Sequence, residues 1–195
     1  METSSSLSSS ASSPASSLGN KLQELLPSLF ESTQMTGDAY LRFELTPGRS
    51  SLFSMEDVQE SLLVPAENIT LLPNMSAAVI GLMSSRDHVF CVVDLLQLVG
   101  LSPLSSYSRQ YHVIVLRVSP SRLNPADKAK ELLLGVAVTK IQGIARAVSD
   151  QVRSPEADFA PSLTPFLRGC VVAKDQELLI LDTGAIVKQA LVTHN

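Results

Sequence analysis

One plan used twice constrains this chain more than any other feature. The stretches "VIGLMSSRDHVFCVVDLLQLV" (residues 79–99) and "FLRGCVVAKDQELLILDTGAIV" (166–187) run in the same order. Each passes from an apolar strand containing a glycine, through a polar turn, to a second apolar strand. Each then meets an aspartate and a short amphipathic helix. Short apolar runs bounded by turn residues read as buried strands. Asp94 and Asp182 hold equivalent places just ahead of the helices. A carboxylate there accepts hydrogen bonds from first-turn N–H groups and suits the helix dipole. The repeated plan predicts two similar barrels within one domain.

The rest of the chain follows the same style. In "YLRFEL", Leu41, Phe43 and Leu45 alternate with Arg42 and Glu44, as in a half-buried strand. "TPGRS" is a turn. "SLFSMEDVQESLL" begins as a strand and is expected to become a short helical turn over residues 55–60. "AENITLLPNM" is a loop, and "LLQLVGL" a short helix followed by a Pro/Ser loop over 102–108. "YHVIVLRV" is a strand and "NPADKAKE" a polar connection. "LLLGVAVTKIQGIARAV" reads as one or two strands, with Gly135 and Gly143 as bends or bulges. A long loop then precedes a hairpin across Asp175 and a helix over 184–191. Many short strands with little helix indicate an all-β barrel or sandwich.

The N-terminal region differs. Ten of the fourteen residues from 4 to 17 are serine, too little apolar surface to offset the entropy of ordering. Residues 1–19 are therefore expected to be a disordered tail, either passive or a tether. In residues 20–35, Leu22, Leu25, Leu26 and Leu29 recur at helical spacing, interrupted by Pro27. This amphipathic segment suits docking on its own domain or on a partner. Residues 36–195 form the folded domain.

Composition removes several functions. With 15 Lys plus Arg against 19 Asp plus Glu, the net charge is −4, unlike the basic face of a nucleic-acid binder. The absence of Trp and the 5% aromatic content disfavour base-stacking platforms. No apolar run approaches the roughly 18 residues of a membrane span, and no secretory signal opens the chain. The expected location is cytoplasmic. Cys91 and Cys170 lie in apolar strands and read as buried free thiols. His88, His112 and His194 are scattered, and no metal-ligand spacing, phosphate loop, dinucleotide fingerprint or nucleophile elbow is present. His88 and Cys91, three apart on one strand, point to opposite faces, so they do not form a nucleophile–base pair. Neither an enzyme nor a cofactor or metal is expected. The polar knot Arg86–Asp87–His88 is left as either a plain hairpin tip or a contact site.

The order of these motifs resembles the CheW-like chemotaxis coupling proteins. "VIGLMSSRDHVFCVVDLLQLVGL" is similar to that family's central signature, roughly Val-x-Gly-Leu-x-Asn-Leu-Arg-Gly followed by an apolar strand ending Val-Asp-Leu. "YLRFEL", "MEDVQESL" and "ITLLPNM" fall where the family has its first strand, its Val-x-Glu segment and its Leu-Pro loop. "LLGVAVTKIQGIARA" and the closing hairpin-plus-helix complete the match over about residues 36–192. The resemblance implies a non-enzymatic adaptor of two intertwined, SH3-like five-stranded β-barrels with short helices. It implies two partners, the regulatory domain of a CheA-type histidine kinase and the cytoplasmic tip of a methyl-accepting receptor, in chemotaxis, phototaxis or twitching motility. A scaffold of the same fold that binds a kinase or pilus-related partner without a receptor is the alternative.

Carried over residue by residue, the resemblance places Arg86 at a receptor-contact position. Val58 and Glu60 fall on a pair associated with kinase or receptor interfaces. Ile144 falls on an apolar position of the second barrel facing the receptor groove. The plain readings are a solvated turn residue for Arg86, core residues for Val58 and Ile144, and a helix-surface charge for Glu60. Ser84-Ser85-Arg86-Asp87 departs from the family's Asn-Leu-Arg-Gly, and Thr139 replaces a common family Asp. Asp87 tolerates positive φ less well than Gly, so a different turn shape is expected, or a local neutralisation of Arg86 by Asp87.

Overall fold

The structure is a computed structural model, and it describes residues 37–104, 108–119, 131–154, 160–173 and 176–192. The Ser-rich residues 1–19, the amphipathic segment 20–35, most of the polar connection 124–131, the tip across Asp175 and His194 lie outside the described residues.

Ten strands form two five-stranded sheets. They are β1 (Asp38–Thr46), β2 (Arg49–Ser54), β3 (Val58–Pro65), β4 (Val79–Ser85), β5 (His88–Asp94), β6 (Gln110–Val118), β7 (Leu132–Val138), β8 (Lys140–Ala147), β9 (Leu167–Ala173) and β10 (Gln176–Leu181). Helix α1 (Leu95–Leu98) follows β5 and helix α2 (Thr183–Val192) follows β10. The sheet orders are β8-β1-β2-β10-β9 and β3-β6-β7-β5-β4.

These orders are one pattern written twice. β1 to β5 correspond in sequence order to β6 to β10. Each sheet takes the first two strands of one half of the chain and the last three strands of the other half. Pairing senses agree throughout: β2 with β10 and β7 with β5 are parallel, and the remaining neighbours are antiparallel. The barrels are therefore intertwined. Neither closes until strands far apart in sequence meet.

The repeat holds residue by residue. Gly81 and Gly169 are each third in their strand. The next residues, Leu82 and Cys170, make isolated antiparallel bridges to Thr70 and Arg153. The N–H groups of Asp94 and Asp182 both donate, at 2.8 Å, to the residue preceding the hairpin, Ala78 and Phe166. β3 and β8 both carry a register shift, at Gln59 and Gln142.

Three apolar clusters follow from alternation along strands buried on both faces. Val64, Met83, Phe90, Val92, Val113 and Val115 fill one barrel. Tyr40, Leu52, Val171, Leu178 and Ile180 fill the other. The opposite faces, including Phe43, Phe53, Ile114, Leu116, Leu179 and Leu181, join Ile186 and Val187 of α2 in a larger cluster between the barrels. Apolar runs such as "VIVL" and "LLIL" thus serve two cores at once.

Some expectations need correction. Residues 55–57 make a turn, and Val58 and Glu60 already belong to strand β3, not to a helical turn. Local propensity loses there to pairing with β6. Gly143, at φ +118°, does sit at the bulge of β8. Gly135 does not bend β7, whose register is regular. A Cβ there would lie 3.0–3.2 Å from Val92, Phe90 and Val113, so this glycine makes room inside its barrel.

Candidate functional site

The β4–β5 hairpin turns in two residues, Arg86 and Asp87, between the paired Ser85 and His88. The left-handed backbone falls on Arg86, at φ +53°, and not on Asp87, where the sequence put the question. A non-glycine residue in this region costs about 1 kcal/mol or more, so the fold holds Arg86 against its own preference.

β3 and β4 are the two edges of their sheet, and barrel closure brings them together. Glu60 of β3 reaches across that seam. Ser85 Oγ donates to its Oε1 at 2.7 Å, and Arg86 Nη2 lies 3.5 Å from its Oε2. The side chain of Glu60 is only 16% exposed, whereas that of Arg86 is 74% exposed. The carboxylate that meets Arg86 is Glu60, reached through the fold, and not the adjacent Asp87. The tip is thus more than a polar turn. It presents a cation anchored from behind by a semi-buried carboxylate.

The other two expected contact residues lie elsewhere. Val58 is half-buried and packs against the cluster between the barrels. Its counterpart in the repeat, Ile141, does the same, as a core residue would. Ile144 is 66% exposed on β8. Because β8 pairs with β1, Ile144 belongs to the barrel opened by the N-terminal strands, not to the barrel of Arg86. Of the four residues, the structure brings Arg86 and Glu60 together and leaves Ile144 on the other sheet.

Beside the hairpin lies a groove of about 290 Å³, lined by Leu82, Val89, Cys91, Leu133, Val187 and Leu191 among others. Val89 stands 71% exposed at its rim. Its position was readable: Phe90 and Val92 alternate inward, so Val89 and Cys91 share the outer face. Burial pushes the Cys91 thiol above its usual pKa, the reverse of what a nucleophile needs. His88 is exposed at the tip. Cys91 and Cys170 are both free thiols.

The aspartates ahead of the helices act as caps. Asp94 Oδ1 accepts from the N–H groups of Leu96 (2.9 Å) and Gln97 (3.3 Å), and its Oδ2 accepts from that of Leu104 (2.7 Å). Asp182 Oδ1 accepts from Ala185 N–H at 2.9 Å. A second carboxylate, buried Asp57, accepts from Thr183 Oγ1 at 2.5 Å and so ties the start of α2 to the β2–β3 crossover. Thr139 donates to the Leu45 carbonyl at 3.1 Å. Among the described residues, no group of three His, Cys, Asp or Glu side chains is placed to hold a metal ion, and no helix is long and apolar enough to cross a membrane.

Comparison with known proteins adds to this geometry. The family model described as the CheW-like domain matches residues 39–191. Among solved structures, the crystal structure of the scaffolding protein TtCheW from Thermoanaerobacter tengcongensis is similar, with a TM-score of 0.62 at 16% sequence identity. That alignment covers 77% of this chain and 92% of the other. A search of curated protein sequences finds no match.

Proposed function

Since the chain belongs to the CheW-like domain family, we propose that it is a non-enzymatic signalling scaffold that couples methyl-accepting receptors to a CheA-type histidine kinase. It works in the cytoplasm at receptor arrays, in chemotaxis, phototaxis or twitching motility. Residues 36–195 are the coupling domain, preceded by the Ser-rich tail and the amphipathic segment.

The observation that carries this reading is Arg86. Its backbone is held in the left-handed region, its guanidinium is exposed, and a partly buried Glu60 anchors it. Held strain of this kind gathers at functional positions. A receptor tip is a helical hairpin, whose apolar face suits a groove and whose carboxylates suit a rim arginine. The apolar groove beginning beside Val89 is continuous with the hairpin that carries Arg86.

The test is binding of the purified protein, separately, to a kinase regulatory domain and to a receptor hairpin fragment. Arg86→Glu, with its fold verified by circular dichroism, should weaken receptor binding about tenfold or more and leave kinase binding within about twofold. A wild-type protein that binds the kinase domain and no receptor fragment would replace the coupling role with that of a receptor-free scaffold. Binding to neither would remove both.

A further inference from the structure

Within that coupling role, we propose that Ser85 is a positioning residue that sets how much of the Arg86 cation a partner sees. Glu60 has two carboxylate oxygens and two neighbours. Ser85 Oγ takes Oε1 in a short hydrogen bond of 2.7 Å, while Arg86 stands off from Oε2 at 3.5 Å. Left alone with a carboxylate, a guanidinium favours a forked, two-bond pairing. Here the hydroxyl occupies one tine of that fork. The ion pair is loose, and the arginine side chain remains 74% exposed, with most of its donors toward solvent. Ser85 therefore shares Glu60 with Arg86. The carboxylate is held in place without consuming the cation.

The fold does not require this clasp. In the other barrel the places equivalent to Ser85 and Glu60 are Ala173 and Gly143, by the same register that equates Gly81 with Gly169 and Val58 with Ile141. That seam closes with no hydroxyl–carboxylate contact at those places. The trio is thus an addition to the repeat, located at the hairpin tip. The partner residue it suits is a carboxylate on a helical surface. A partner cation meets a Glu60 whose oxygens are both already engaged.

Two measurements on the full chain separate this inference from the coupling role. The first needs no partner: hydrogen exchange of the Arg86 Nε–H group, followed by NMR. In Ser85→Ala, Glu60 is free to take the guanidinium in a fork, and exchange should slow about threefold or more. Ser85→Thr, which keeps the hydroxyl, should match the wild type. The second is affinity for a receptor-tip hairpin fragment. Ser85→Ala should bind about three- to tenfold more weakly. Adding Glu60→Gln, which leaves no carboxylate to fork with Arg86, should recover part of that loss and bind at least about twofold more tightly than Ser85→Ala alone, which a merely structural role for Ser85 would not produce. Unchanged or faster exchange in Ser85→Ala overturns the proposal, as does a loss of affinity that Glu60→Gln fails to rescue. If the wild type binds no receptor fragment, the coupling role falls, and the exchange measurement alone still decides whether Ser85 governs the Arg86–Glu60 pair.

Discussion

The β4–β5–α1 unit and the β9–β10–α2 unit are the same device at two sites. Each opens with a strand whose third residue is glycine, bridges a distant segment at the next residue, turns, and ends at an aspartate that caps a helix. They differ in what surrounds these shared parts. Gly81 faces main chain, Gly169 mostly a side chain. Asp94 serves three N–H groups and Asp182 one among the hydrogen bonds described. Among the described residues, only the first unit carries a hydroxyl–carboxylate–guanidinium cluster, that of Ser85, Glu60 and Arg86. Residues that recur mark what the architecture needs. Residues present in one copy mark what has been added to it.

The sharpest way to break the equivalence is through the glycines. A Cβ at Gly81 would overlap the Thr70 carbonyl and lie 2.8 Å from Ile69 Cγ2. The bridging main chain would have to move, opening the seam that closes the barrel. At Gly169 a Cβ would meet Val152 Cγ1 at 2.6 Å and the Arg153 carbonyl at 3.0 Å, so a valine rotation removes much of the clash. Gly81→Ala should cost about 3 kcal/mol or more, and Gly169→Ala about 1–2 kcal/mol. Urea denaturation of the two variants measures the gap. Equal losses would mean that both seams yield in the same way.

The caps give the next largest contrast. Asp94→Ala strands three donors, two of them near the buried turn of α1, and should cost about 2–3 kcal/mol. Asp182→Ala loses one cap bond at a longer helix and should cost about 1 kcal/mol. The ranking reverses if the tie between Asp57 and Thr183 makes α2 depend on its first turn more than α1 does. Hydrogen exchange of the helix amides in each variant distinguishes the two.

The hairpin tip inverts the usual link between stability and binding. Arg86→Val puts a β-branched residue at φ +53° and should cost about 1 kcal/mol, while Arg86→Gly should cost nothing measurable because relief of the backbone offsets the surface ion pair. Both should lose receptor binding alike. Stability that falls equally in the two variants would show that the ion pair, and not the backbone, dominates the tip.

Much of this was legible in the chain itself. The repeat of strand, turn, strand and aspartate can be read from residues 79–99 and 166–187 because each motif is local, and the caps sit where their chemistry demands. Gly143 could be read as a bulge for the same reason. The intertwining of the barrels is a matter of which distant strands pair, and no local pattern states that β1 lies beside β8. The partner of Arg86 was hidden likewise. Asp87 is next to it in sequence, but Glu60, 26 positions away, reaches it across the closed seam. Gly135 was misread because its role depends on the bulk of Phe90 and Val92 in a neighbouring strand.

The smallest expected effect lies where the two barrels trade volume. Ser51 of β2 pairs with Phe43 and with Leu179, as Leu134 of β7 pairs with Leu116 and with Cys91. Ser51 and Leu134 are therefore equivalent, yet one is polar and fully buried. Ser51 faces the cluster between the barrels, beside the stacked rings of Phe43 and Phe53, whose centroids lie 4.8 Å apart. Among the described residues its hydroxyl has no hydrogen-bond partner. Phe43 and Phe53 stand where the other barrel has the smaller Leu116 and Val136, and a buried hydroxyl without a partner costs about 1–3 kcal/mol. Ser51→Ala removes that cost and only one heavy atom of volume. It should raise stability by about 1 kcal/mol, a melting temperature gain of about 2–4 °C for a domain of this size. Ser51→Leu, matching the other barrel, should instead destabilise by overpacking. If alanine lowers stability, the hydroxyl is satisfied in solution, and the two barrels differ in polarity at this position for a structural reason.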